Sequence, residues 1–512
     1  MKINKKKATL YNIITMFLYQ FIAVIVGFIL PKLLLEKYGA DTHGYTSTVT
    51  NIMNYVSLLN AGLSVAAIQS LYKPLAENDE KEINSVLNAI RKFYNQAGIL
   101  YLIAIVIISI FLPLFIKGDI SKFEIIALML IMGLSNTIEC FCYAKNMVLL
   151  QSNQKIYVVN LINAISLLIR SLIQIVLIKT NNSIIIIETV PTIMVFFRAF
   201  ILEIYTRKKY TFLNSKIIPN KNALSKRWSA FTHQISSIIV NNTDIVLLNI
   251  FTNLTIVSIY SVYNLVFSHL YKLMNMIFTH GTVASFGAVI NEKNDKKLNK
   301  SYDIYELGYY FVTIIVYSIT SVMILSFVKI YTKGVDSIHY VDIKLAILFI
   351  IISVMSNLRV PCGTLISAAG HFKETQSHAI IEAIINIVLS LLLVKPLGMY
   401  GLLIGTICSF SYRTIDIICY SNKNILHRNC LISFKRVIIV VIGIIGSVSV
   451  YAFLKLDFFQ KNWLDWFLHC IIIGIISFIL ATILFLIFEN KKIKTIYYSI
   501  LEKCKPYLNK RI

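Results

Sequence analysis

The sequence predicts an all-α membrane protein of about fourteen transmembrane helices, arranged as two six-helix lobes related by a pseudo-twofold along the membrane normal, plus a C-terminal helix pair. Three observations predict it. Of 512 residues, 57% are hydrophobic and 14% charged, and the mean hydropathy of +0.71 lies far from that of a soluble chain. The apolar residues gather in runs of roughly 20 or more, the length that crosses about 30 Å of hydrocarbon. Short sequence matches recur in the same order in the two halves. Lys and Arg total 49 against 25 Asp and Glu, a net charge of +24. The positive residues are concentrated between apolar runs, so loop orientation explains them and a nucleic-acid partner is excluded.

The first run, near 9–31, follows Lys5, Lys6 and Lys7 with no small-residue cleavage site after it, and reads as a retained anchor. The second, 45–72, carries a polar stripe of Asn51, Asn54, Ser57, Asn60 and Ser64. In the inner loop Lys73 to Lys92, Asp79 can cap a helix with Glu82 at its third position. Ile83, Val86, Leu87 and Ile90 share one face there, which predicts a short surface helix. Runs 94–116, 123–144, 156–178 and 183–204 complete an N-lobe of residues 1–204, and a basic linker, 205–227, follows. Runs 229–251, 256–283, 304–328, 340–368, 377–394 and 398–421 build a C-lobe of residues 228–421. Runs 437–454 and 465–488 form an appended hairpin within 422–488, and 489–512 is a basic tail.

With the N-terminus in the cytoplasm, inner loops hold the large majority of Lys and Arg, so both termini are expected in the cytoplasm of a multi-pass plasma-membrane protein. Trp228, Trp463 and Trp466 fall at expected boundaries. The external loops are short, the longest running from about Lys32 to Gly44, and none carries the acidic motif expected of a membrane glycosyltransferase or polymerase. No GxGxxG, P-loop or paired CxxC is present, and the eight Cys read as packing residues or thiols rather than disulfides or metal ligands. The expectation is a transporter with no catalytic residues and no cofactor beyond H⁺ or Na⁺ coupling.

The repeat is carried by several pairs. Ser135 and Asn136 recur as Ser356 and Asn357. INAI from Ile162 recurs as IEAI from Ile381, each run ending at a lysine, Lys179 and Lys395. FRAFILEIYTRK from Phe197 matches YRTIDIICYSNK from Tyr412, placing Arg198, Tyr205 and Lys208 opposite Arg413, Tyr420 and Lys423. NDEKEIN from Asn78 echoes NDKKLN from Asn294. Two copies of an even number of spans share one orientation and enclose a central cavity.

Charges inside spans cost roughly 2.5 to 3.5 kcal/mol each, so they should face a cavity or a partner. Asn264, Ser268, Lys272, Asn275 and Thr279 recur at steps of three and four on one face of span 8. Lys272, Arg170 and Arg359 lie near mid-span and suit an anionic headgroup, to which Arg offers a fork matched to phosphate. Pairing with acids such as Asp244 or Glu139 is the competing reading. Pro361 and Gly363 can break span 10 just after Arg359. Arg198 and Arg413, near the inner ends of their helices, either snorkel or flank the inner mouth, and Asp416 lies on the helical face of Arg413 and could pair with it. Candidate substrate contacts are therefore Arg170, Lys272, Arg359, Arg198, Arg413, Asn264 and Asn275. Candidate ion-coupling acids are Asp244, Glu382 and Asp416, with a boundary role also open to Glu382 and an ion pair to Asp244.

The segment AAGHFKETQSHAIIEAIINIVLSLLLVKPLGMYGLLIGTICSFSYR, Ala368 to Arg413, is similar to the signature of the polysaccharide repeat-unit flippases (Wzx-like) of the multidrug/oligosaccharidyl-lipid/polysaccharide (MOP) exporter superfamily. AGLSVAAIQSLYKPLAENDEKEIN, from Ala61, resembles the capsule and exopolysaccharide branch of that family, and the resemblance covers essentially the whole chain. It implies a MATE/MurJ-like fold in a bacterial membrane. It further implies translocation of undecaprenyl-diphosphate-linked oligosaccharide from the inner to the outer leaflet by alternating access, with Arg170, Lys272 and Arg359 supplying the cationic lumen. Membrane lipids, a polysaccharide polymerase and glycosyltransferases are the partners it suggests. A lipid II flippase and an ion-coupled multidrug or metabolite antiporter remain the alternatives.

Overall fold

The computed structural model describes residues 5–57, 63–116, 120–220, 242–279, 282–335 and 338–508. Every regular element among them is a helix, and twelve of these are long and apolar enough to span a membrane. The chain is a multi-pass membrane protein. It divides into two compact units, Met1–Leu265 with Leu391–Leu402, and Val266–Ser390 with Leu403–Ile512.

In the first unit, α1 runs Lys5–Val56 with a single non-helical residue, Gly39, at φ 79°. The expected outer loop Lys32 to Gly44 is thus almost wholly helical, because glycine turns the chain where an L side chain would be strained. Spans 1 and 2 therefore merge into one element, which largely reconciles fourteen runs with twelve helices. The rest of the difference is span 7, of which only α8, Asn242–Phe251, is described. Asn60, Trp228, His233, Asn241, most of span 7 and residues 221–227 of the linker lie outside the described residues.

After α2 (Leu63–Glu77), α3 spans Glu80–Phe111 without interruption. The expected surface helix does not exist as a separate element, since its sequence carries no glycine or proline to stop it before span 3. The cap is as read: Asp79 Oδ1 accepts from the Glu82 N–H at 2.9 Å, and Ile83, Val86, Leu87 and Ile90 are buried. α4 (Lys122–Ile138) begins at a Ser121–Glu124 capping box. A π-helical turn, Glu139–Tyr143, leads into α5 (Ala144–Ser152), then α6 (Ile156–Lys179) and α7 (Ile184–Lys209). Beyond α7 the linker is docked: Ser85 Oγ donates to Ile218 O at 2.8 Å, and Asn88 Nδ2 to Asn214 O and Ile217 O at 3.1 and 2.8 Å.

Next come α9 (Leu254–Thr279), α10 (Thr282–Asn291), α11 (Asp295–Tyr331), α12 (Ile343–Leu358), α13 (Val360–Ala369), α14 (Phe372–Leu397) and α15 (Met399–Asn424). The chain ends in α16 (Leu431–Phe453) and α17 (Trp463–Leu508), so the expected tail continues the last helix, with a non-helical residue at Glu489.

The duplication is visible in the backbone. Residues with left-handed φ recur in matching places: Asn78 and Lys293 (both 53°) before the capped helices, Gln154 and Gly370 (56° and 75°) before α6 and α14, and Asn181 and Gly398 (60° and 58°) between the last two spans of each copy. In the first unit one buried cluster centres on Tyr45, Leu128 and Ile187, and another on Ile90, Val148 and Leu202. The second has its own, including Tyr302, Cys362 and Leu365. Outer faces such as Leu100, Ile103, Ile107 and Ile110 of α3, or Phe467, Ile471, Ile475 and Phe478 of α17, are exposed and apolar, as lipid contact requires.

Candidate functional site

In the second unit, Pro361 cannot continue the hydrogen-bond ladder of α12, and the helix breaks at Arg359 before restarting as α13. Near the break, the Leu358 carbonyl accepts from the buried Tyr310 hydroxyl at 2.8 Å rather than facing a cavity. The break presents Arg359 to α14, where its Nη1 donates to Glu382 Oε1 at 2.5 Å while the guanidinium lies over the Phe410 ring, 4.1 Å from its centre. Arg413 approaches the other oxygen, Glu382 Oε2, at 3.5 Å and donates to Asp416 Oδ2 at 2.6 Å. His378 continues the chain, 3.1 Å from Asp416 and 2.8 Å from the Tyr412 hydroxyl. Three helices thus assemble two arginines around one carboxylate; the Arg413–Asp416 pair follows from helical spacing, and the sharing of Glu382 does not.

The first unit interrupts its helix at the equivalent place, just past Asn136, by the π-turn instead of proline. There Arg198 pairs with Glu139, its Nη1 is 3.4 Å from Asn163 Oδ1, and it lies 4.9 Å from the centre of the Tyr143 ring. Asn163 stands where the second copy has Glu382. The charges are redistributed between copies: the acid sits at the helix interruption in one and on the neighbouring helix in the other. Arg198 and Arg413 each find an acid within their own unit, and Arg413 is buried.

The remaining candidates are differently placed. Arg170 faces the buried Glu188 electrostatically, and its own buried Nε has no hydrogen-bond partner. Glu188 is absent from the sequence-derived set, although a glutamate inside an isoleucine run was a visible signal. Lys272 is exposed on α9, and no carboxylate comes within 4.0 Å of it among the described residues. Asn275 donates to Tyr271 O at 2.9 Å and accepts from Thr279, while Asn264 is half-buried on the same helix. Asp244 is buried and accepts from the Tyr260 hydroxyl at 2.9 Å.

Two further clusters were not foreseen. The part of α1 beyond Gly39 is joined to α8 and the start of α9 by a series of side-chain hydrogen bonds. Thr255 donates to Asp41 at 2.9 Å, His43 pairs with Ser258 at 2.9 Å, Asn249 donates to Thr48, Asn54 donates to Asn242 at 2.8 Å, and Tyr55 pairs with Thr243 at 2.5 Å. Part of the polar stripe of span 2 is therefore spent on helix contacts. In the second unit, the fully buried Arg436 of α16 meets Glu306, Asp303 at 2.8 Å and Glu489 at 3.5 Å. Arg428 and Lys492 also bond Asp303, at 2.7 and 3.0 Å. This network fixes the appended helices to α11.

Neither a protein-family model nor a curated protein matches the chain. Solved structures do. The chain is similar to the lipid II flippase MurJ in an inward closed conformation, with a TM-score of 0.64 at 18% identity over 92% of this chain and 99% of that one. It is similar to a multidrug resistance MATE family transporter of the MOP superfamily in an inward-facing conformation, with a TM-score of 0.63 at 12% identity over 83% and 99%. A MOP superfamily transporter from Pyrococcus furiosus, described as having a binding pocket of reverse polarity, matches with a TM-score of 0.55 at 13% identity over 84% and 98%. The protein has the fold of MOP superfamily transporters.

Proposed function

We infer that the protein is a flippase that moves an undecaprenyl-diphosphate-linked oligosaccharide repeat unit from the inner to the outer leaflet for surface polysaccharide synthesis. The observation that carries this reading is the pair of arginines, Arg359 and Arg413, held around the single carboxylate of Glu382. Two guanidinium groups converging on an anion offer the paired forks that a diphosphate needs. An incoming diphosphate would take the place of the Glu382 carboxylate between the two guanidinium groups, while Asp416 keeps Arg413 in place. Lys272, with no carboxylate within 4.0 Å among the described residues, would add a positive charge, and Arg170, Asn264 and Asn275 would contact the headgroup and sugars. The lipid tails stay in hydrocarbon throughout, so the protein lowers a desolvation barrier without making or breaking a covalent bond.

A lipid II flippase would use the same diphosphate chemistry and differ in the sugar. The buried Asp244, hydrogen-bonded by Tyr260, favours a second reading, ion-coupled export of a cationic solute. The deciding experiment is leaflet-resolved accumulation of lipid-linked oligosaccharide in depleted cells, with an impermeant label for exposed sugars. Cytoplasmic accumulation reversed by restoring the protein is expected, and Arg359→Ala and Lys272→Ala should each fail to restore it while still inserting. An unchanged leaflet distribution would overturn the proposal in favour of solute export.

A further inference from the structure

The two copies differ most at the ends of α3 and α11. Asn84 and Asn299 occupy equivalent positions, which aligns Asn88 with Asp303 and Arg91 with Glu306. Arg207 likewise aligns with Asn422; in the straps the register shifts by one, since Asn84 and Asn299 bond the carbonyls of Phe212 and Leu426, which places Asn214 opposite Arg428. In the second unit the site is self-filled: Arg428 donates to Asp303 at 2.7 Å, Glu306 at 3.3 Å and Asn422 at 2.6 Å. In the first unit the pattern is inverted. The central arginine is replaced by Asn214, whose N–H is taken by Asn84 at 2.7 Å, and the acid positions hold Asn88 and Arg91. What results is a cavity of about 300 Å³ beneath the strap, with Arg91, Lys145 and Arg207 in its lining and Glu203 as its one carboxylate.

Glu203 is already committed: Arg207 Nε lies 2.7 Å from it, Lys145 Nζ 3.3 Å and Asn146 Nδ2 2.7 Å. Arg91 has no ion pair among the described residues. Three cations against one acid leave an excess positive charge in a polar recess. Its volume falls at the lower end of small-ligand sites, and arginine at two of the three cationic positions suits phosphate oxygens.

We propose that this cavity binds a phosphate or diphosphate group, the external counterpart of the internal ion network that fills the equivalent site of the second unit. The ligand is either a soluble phosphate compound or the headgroup of an anionic phospholipid. The site does not depend on the translocation reading, and it would stand if the transported solute were something else.

Full-length purified protein tests it with two probes: radiolabelled pyrophosphate in equilibrium dialysis at low salt, and nanodiscs of phosphatidylcholine with or without phosphatidylglycerol, scored for lipid retained in native mass spectrometry. A saturable site that responds to changes at Arg91 and Arg207 is expected, distinct from any diphosphate binding at Arg359 and Arg413. Arg91→Gln and Arg207→Gln should each weaken it about tenfold, and Glu203→Gln should tighten it, because charge-assisted hydrogen bonds are the strong ones. Lys296→Gln, an equal loss of charge at an exposed residue of α11, should change nothing. Saturable pyrophosphate binding identifies a soluble ligand, and retention of phosphatidylglycerol alone identifies a lipid. Absence, with both probes, of any saturable binding that Arg91→Gln or Arg207→Gln weakens, or equal weakening by Lys296→Gln, would overturn the proposal.

Discussion

Asn84 and Asn299, one in each copy of the repeat, make the same pair of hydrogen bonds. Each donates to a carbonyl in the first turn of its own helix, Glu80 O at 2.7 Å and Asp295 O at 2.9 Å. Each also donates to a carbonyl of the chain leaving the last span of its copy, Phe212 O at 3.0 Å and Leu426 O at 2.9 Å. A side chain that satisfies backbone groups of two segments at once fixes the return of the chain after four further helices, and both copies kept it.

Asn84→Ala should therefore cost about 1–3 kcal/mol, the penalty for leaving buried backbone groups without partners. The loss should be local. Limited proteolysis is expected to cut first within 210–220, and Asn299→Ala should expose 425–430 in the same way. An unchanged cleavage pattern would mean that Ser85 and Asn88 suffice to hold the strap.

Arg436→Met should be far more damaging. Its side chain is fully buried among Glu306, Asp303 and Glu489, and removing the cation strands carboxylates where water cannot reach them. A loss of about 3–5 kcal/mol is expected. The double variant Arg436→Met with Glu306→Leu should recover part of it, measured as the thermal unfolding midpoint of the purified protein.

Two glycines should respond oppositely to alanine. At Gly44 a Cβ would stand 2.2 Å from the Leu254 carbonyl oxygen, so α1 and α9 must separate and folded yield should fall sharply. At Gly363 nothing lies within 4 Å, and the alanine should be neutral or stabilise α13 by up to about 1 kcal/mol. Equal yields for the two variants would contradict the close helix contact at Gly44.

Glu382→Gln should retain the fold while releasing the ionic grip on Arg359 and Arg413. On the proposed function, diphosphate affinity should rise, because the carboxylate no longer competes for the two guanidinium groups. Adding Arg359→Ala should abolish the gain. Pyrophosphate binding in an Arg91→Gln background, where the peripheral cavity is weakened about tenfold and its contribution can be told apart, checks both.

The spans, the duplication and the Asp79 cap were legible because each is written in local sequence: apolar run length, collinear short matches and a carboxylate three residues before its target. Partner choice was not. Helical spacing showed that Asp416 could reach Arg413, but that Arg359 and Arg413 would share Glu382 depends on three helices meeting, which no spacing encodes. Arg436 and Glu489 lie just outside the apolar runs 437–454 and 465–488, and nothing in their spacing links them to Asp303 or Glu306. The continuity of α3 was missed for a different reason. Its amphipathic start and apolar remainder differ in composition, yet no residue between them stops a helix.

The ion network on α11 also bears on how the chain is assembled. The hairpin of α16 and α17 is made after both copies of the helix framework and meets two related sets of helices. At the docking position one offers Asp303 and Glu306, and the other Asn88 and Arg91. Arg436 is attracted by the first pair and repelled by the second, so two residues of charge bias the newly synthesised hairpin toward its own half. Exchanging those residues between the copies would be expected to send the nascent hairpin to the wrong address.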